Sequence, residues 1–203
     1  PLTLPFTIPA NVSLSADRVI YNGDEFANFV YSLKSNVQSF SVTDDQRGNL
    51  LASITKEQNK YNILLQLNKF VIKGGLLAPT LPINVSDTVI TGQARLSTYG
   101  QIAYDISYNM TGSIDLTFDG GIIFGLGFDD FYANAQNVTT LNAEFLLANA
   151  LDGGTTALKT LHIVGDYNGG NFVTTQPFTL SMRHVDAVGT LRITDGYMGV
   201  NID

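Results

Sequence analysis

The feature that most constrains this chain is an alternation of apolar and polar residues, broken at short intervals by Gly, Asn and Asp. Alternation at period two puts successive side chains on opposite faces of an extended strand, a pattern that a helix does not produce. Residues 1–9, Pro-Leu-Thr-Leu-Pro-Phe-Thr-Ile-Pro, follow it without a fault. Further candidate strands cover 12–20, 37–43, 50–55, 61–72, 85–96, 101–108, 113–118, 122–128, 157–164, 172–175, 178–183 and 188–194. The breaks between them, such as Asn22-Gly23, Asp119-Gly120-Gly121, Asp152-Gly153-Gly154, Asn168-Gly169-Gly170 and Asp195-Gly196, use residues that tolerate positive φ. Turns at intervals of roughly 8–12 residues are the rhythm of a sandwich or barrel.

Two stretches read as helices, with a buried strand as the alternative. Residues 24–35 carry Phe26, Phe29, Val30 and Leu33 at helical spacing, and 140–151 is rich in Ala and Leu and ends at Asp152-Gly153. The expected fold is therefore all-β: an antiparallel sandwich or jelly-roll-like domain with one or two short helices. Residues 1–16 form an extended apolar strand or tail, and 17–203 form a single β domain.

Composition narrows the function classes. Apolar residues make up 44% of the 203, enough for a core. Charged residues make up only 14%, against about 25% in typical soluble domains; Thr, Asn, Ser and Gly fill the difference. The net charge of −7 has the wrong sign for a nucleic-acid binder that lives on phosphate contacts. No apolar run reaches the length of a membrane span. With no cysteine there is no disulfide framework, thiolate metal site or Cys nucleophile. Four Asn-x-Ser/Thr sequons, at Asn11, Asn84, Asn109 and Asn137, are candidate glycosylation sites. Together with the low-charge, hydroxyl-rich composition they suggest an extracellular or cell-surface protein that carries N-glycans.

Catalytic signatures are sparse. His162 and His184 have no ligand-spaced partner nearby in sequence, and no Gly-x-Ser-x-Gly elbow occurs. The Gly-rich stretch 120–127 lacks the Lys-Ser/Thr end of a phosphate loop and reads as a strand with close backbone approaches. The carboxylates are mostly Asp, and five of the fifteen Asp residues sit directly beside Gly, where turn chemistry explains them. Asp129-Asp130 and Asp115 with Asp119 are possible acid pairs, and 166–171 offers oxygen ligands at close spacing without the full calcium-loop pattern. Tyr99, Tyr104 and Tyr108 are the nearest approach to an aromatic cluster of the kind that stacks on sugars. The expectation is a protein that is not an enzyme, with no metal and no cofactor.

The N-terminal segment says most about function. In a strand, successive residues direct their N–H groups to alternate edges. Pro5 and Pro9 therefore remove donors from one edge only, while Leu2, Leu4, Phe6 and Ile8 keep theirs and form the apolar face. Such a strand can add to an open sheet edge and fill an apolar groove with its side chains. With this tail, a Cys-free, low-charge, Thr/Asn-rich β chain resembles the subunits of extracellular filaments assembled by donor strands, including archaeal threads and some bacterial pili. The resemblance implies a secreted structural subunit that assembles with copies of itself into a cell-surface filament or adhesive layer. Two other classes fit the composition: a soluble extracellular carrier of a lipid, pigment or other apolar ligand, and a virion capsid subunit.

Overall fold

The structure, a computed structural model, describes residues 11–21, 24–73, 84–100, 103–134, 143–194 and 197–202. Within these the alternation resolves into fourteen strands: β1 (Val12–Tyr21), β2 (Asp24–Lys34), β3 (Val37–Thr43), β4 (Asn49–Glu57), β5 (Lys60–Ile72), β6 (Asn84–Ser86), β7 (Thr88–Tyr99), β8 (Thr111–Asp119), β9 (Ile122–Phe124), β10 (Thr155–Asn168), β11 (Asn171–Thr174), β12 (Phe178–Met182), β13 (Asp186–Thr194) and β14 (Tyr197–Ile202). Short helices interrupt them: α1 (Ala103–Tyr108), α2 (Phe128–Asn134) and α3 (Ala143–Leu151). The fold is all-β and antiparallel, as the sequence predicts.

The strands form one hydrogen-bonded path. It runs β1-β2-β3-β4-β5-β7-β8-β10 by neighbouring antiparallel ladders. The other edge of β10 is shared by β11 and β12, both of which pair with β13, and β14 closes the series on β13. The start of β10 also carries β9, which in turn pairs with β6.

Register gives the sheet two unlike faces, because residues directly opposite in a ladder share a face. One row reads Leu14, Tyr31, Phe40, Ala52, Leu65, Ala94, Ile114 across seven strands. The adjacent row, on the other face, reads Ser13, Ser32, Ser39, Ser53, Leu64, Arg95, Ser113. The first face forms the core. Val42, Leu67, Phe70, Ile72, Ile90 and Phe118 are buried there with Val85, Ile123, Leu158 and Met182. Phe26 of β2 stacks on Phe70 of β5 with ring centroids 6.0 Å apart. These strands are three ladders apart, which in a flat sheet is about 14 Å. The sheet therefore curls over its apolar face.

Two β-bulges locate the bend. One extra residue enters β2 between Ala27 and Val30, and another enters β5 between Leu67 and Phe70. Asn28 and Lys69 sit there with φ of 52° and 51°. The sites line up across the sheet, since Ala27 faces Thr43, Thr43 faces Asn49 and Asn49 faces Asn68. A bulge shifts which parity points inward. In β5, Leu65 and Leu67 face the core before the bulge, and Phe70 and Ile72 face it after.

Asp44, 5% exposed, fastens this bend. Its Oδ1 accepts from the backbone N–H of Gln46 and Gly48, each at 2.8 Å, and its Oδ2 accepts from Val71 N–H at 2.6 Å. The β3–β4 turn is thereby tied to β5 just past its bulge. A Cβ on Gly48 would lie 2.0 Å from the Lys69 carbonyl oxygen, so only Gly fits that approach. On the surface beside it, Lys73 pairs with Asp45. Hydrogen bonding to the Asp45 carboxylate holds the ammonium above its ordinary pKa.

Three expectations need correction. Residues 24–35 are strand β2 rather than a helix: the spacing of three between Phe26 and Phe29 spans the bulge residue. Residues 103–108 are helix α1 rather than strand, and a spacing of four, as between Tyr104 and Tyr108, satisfies either period. The candidate strand 122–128 stops at Phe124, and Phe128 opens α2. The second expected helix is present as α3. The sheet takes up the chain from Val12, so residues 12–16 of the expected strand or tail belong to β1, within the candidate strand 12–20.

Candidate functional site

Three connections meet at one end of the sheet: the β4–β5 turn, the β7–α1–β8 link and the β10–β11 turn. Register puts them there. Lys60 faces Tyr99, and Ser97, Thr111, Asn168 and Asn171 follow one another across four strands. Between the connections lies an open cleft of about 870 Å³, within the range of small-ligand sites.

Local chemistry fixes the walls. The β4–β5 turn is two residues long and places Gln58 at φ 56°, next to Asn59. The β10–β11 turn has Gly169 and Gly170 at φ 57° and 89°, the left-handed pair that a tight hairpin requires. Gly169 N–H donates to the Met110 carbonyl at 2.8 Å, and a Cβ on Gly169 would meet the Tyr108 carbonyl oxygen at 2.8 Å. The C-terminal end of α1 is thus docked on this turn. On the other side, Asn109 Nδ2 donates to the Tyr99 carbonyl at 3.1 Å, and the buried Thr98 hydroxyl donates to the Ile106 carbonyl.

The lining is polar with little charge. Asn59, Asn109, Asn168 and Asn171 supply amides, Ser97 and Thr111 supply hydroxyls, and Glu57 with Lys60 are the charged members. Tyr99 and Tyr108 also line the cleft and are 59% and 65% exposed. The Oδ1 of Asn171 is buried and has no hydrogen-bond partner among the described residues.

Other sequence-derived candidates are scattered. Leu2, Leu4, Phe6, Ile8 and Asn137 lie outside the described residues. Asn11 is exposed at the foot of β1, and Asn84 opens β6 opposite Phe124. Asn109 belongs to the cleft, as does Thr111 of the same sequon. Asp115 pairs with His162 at 3.0 Å across the polar face. His184 stacks on Tyr132 at 4.0 Å. Asp129 accepts from Ala157 N–H at 3.0 Å and so caps a strand end. The 166–171 stretch is the β10–β11 hairpin. In the Gly-rich stretch, a Cβ on Gly121 would lie 2.6 Å from the Ser86 carbonyl oxygen, the close backbone approach that its composition suggests. Among the described residues no group of three or more His, Asp or Glu side chains could hold a metal ion.

Sequence reasoning located Tyr99, Tyr108 and Asn109 but missed Asn59, Asn168 and Asn171 as their neighbours. The available signal was that hairpin turns separated by an even number of antiparallel ladders fall at the same end of a sheet. No family model, curated protein or solved structure matches the chain.

Proposed function

We propose that this protein is a secreted, non-enzymatic structural subunit that joins copies of itself by strand addition at the open edges of its sheet. The observation that carries this reading is the state of β1. It lies at the end of the strand path, pairs with β2 alone among the described residues, and leaves Leu14, Ile20 and Tyr21 more than half exposed. Its charges within the strand are Asp17 and Arg18, and it has no proline to blunt the edge. The opposite end of the series is β14, which pairs with β13 alone among the described residues and exposes Val200.

Joining two different edges is a head-to-tail contact, which repeats into a filament unless its rotation closes a ring. The segment with Leu2, Leu4, Phe6 and Ile8 runs directly into β1 and would reach into the neighbouring subunit. Burying those four side chains contributes roughly 6–12 kcal/mol before ordering costs.

The test is sedimentation velocity with negative-stain imaging on the intact chain, a chain lacking residues 1–10, and a Leu14→Lys/Ile20→Lys variant. Filaments from the intact chain alone, with both variants held as small folded species, support the proposal. Compact monomers of equal stability in all three samples overturn it.

A further inference from the structure

We propose that the cleft at the turn end of the sheet binds neutral sugar residues, packed on Tyr99 and Tyr108 and hydrogen-bonded by the amides of Asn59, Asn168 and Asn171. A sugar ring presents an apolar C–H face and a rim of hydroxyls that both donate and accept. Exposed aromatic rings suit the first, and carboxamides, which also donate and accept, suit the second. Glu57 and Lys60 offset each other, so the lining has no net charge with which to select an ionic ligand. A phosphate would find Lys60 as the single cation among the described lining residues, beside a carboxylate. Asn171 supplies an independent pointer: it lines the cleft, and its Oδ1 is a buried acceptor without a partner among the described residues.

The sugar has two possible sources. Asn109 and Thr111 are the first and third residues of a sequon and both line the cleft. Asn109 Nδ2 uses one hydrogen toward the Tyr99 carbonyl, and its second is the position that an N-glycan replaces. The occupant is therefore either the chain's own glycan, folded back over Tyr99 and Tyr108, or an external saccharide. The inference stands apart from edge assembly, because no lining residue belongs to β1 or β14.

The experiment has two arms. The first uses protein from a host that adds no N-glycans, titrated with glucose, mannose, galactose and N-acetylglucosamine and followed by backbone NMR shifts. The second uses protein from a secretory eukaryotic host, with peptide mapping at Asn109 and the rate of enzymatic glycan release. Shifts confined to the cleft, weakened about tenfold in Tyr99→Ala and Tyr108→Ala but not in Tyr99→Phe, with Asn109 unmodified, identify an external saccharide. An occupied Asn109 whose glycan is released several-fold faster in Tyr99→Ala than in Tyr99→Phe identifies the chain's own glycan. Asn171→Ala guards against loss of fold: its Oδ1 has no partner among the described residues, so the melting temperature stays put while sugar contact weakens. If no sugar shifts the cleft and the release rate is indifferent to Tyr99, or Asn109 is bare, the proposal is overturned.

Discussion

Asp44 shows how one residue can hold a bend. Its carboxylate collects three backbone N–H groups from two separate segments, inside a site that water barely reaches. Removing it strands the donors of Gly48 and Val71 without a substitute acceptor. Asp44→Ala is therefore expected to lower stability by about 3 kcal/mol in urea denaturation. Asp44→Asn keeps one acceptor oxygen, which can serve the turn or Val71 but not both, so its loss should be about half of that. An unchanged denaturation midpoint for both variants would show that the bend does not depend on this carboxylate. In the sequence, Asp44 looks like any other Asp beside a turn. Its partner Val71 is 27 positions away, and no local pattern announces the pairing.

At the scale of the element, the bulges decide where sequence patterns can be trusted. Lys69 sits in the left-handed region, where a β-branched side chain collides with its own backbone. Lys69→Val should cost about 2 kcal/mol, whereas Lys69→Gly should be neutral or slightly stabilising. Thermal melts of the two variants check this, and equal melting temperatures would contradict it. Strand β3 matches its alternation residue for residue, because nothing interrupts it between Val37 and Thr43. Strand β2 was hidden by its bulge, which converts a spacing of two into three and so imitates a helix. Helix α1 was hidden by a spacing of four, common to both periods. Strand β14 is not among the expected strands, although Met198, Val200 and Ile202 alternate in the sequence. The cleft was only half legible: Tyr99, Tyr108 and Asn109 are close in sequence, but Asn59 and Asn171 join them through register alone.

For the molecule as a whole, the two faces of the sheet settle different matters. The apolar face curls on itself and supplies the core. The other face meets its surroundings with Ser, Thr, Asn and Gln in successive ladders, such as Ser39 opposite Ser53, and Gln66 opposite Gln93. The ion pairs Arg18–Glu25 and Lys73–Asp45 and the His162–Asp115 hydrogen bond are all substantially exposed, and such pairs contribute little. Unfolding free energy should therefore change by less than about 0.5 kcal/mol between dilute and molar sodium chloride, as denaturant melts at the two salt levels would show. A larger change would mean that charges outside these pairs govern stability. Hydroxyls and carboxamides neither gain protons nor gather counter-ions. Rows built from them, such as Ser39 with Ser53 and Gln66 with Gln93, keep one hydration layer in fresh water, brine or weak acid, and a neighbour docked on those rows meets the same surface in each.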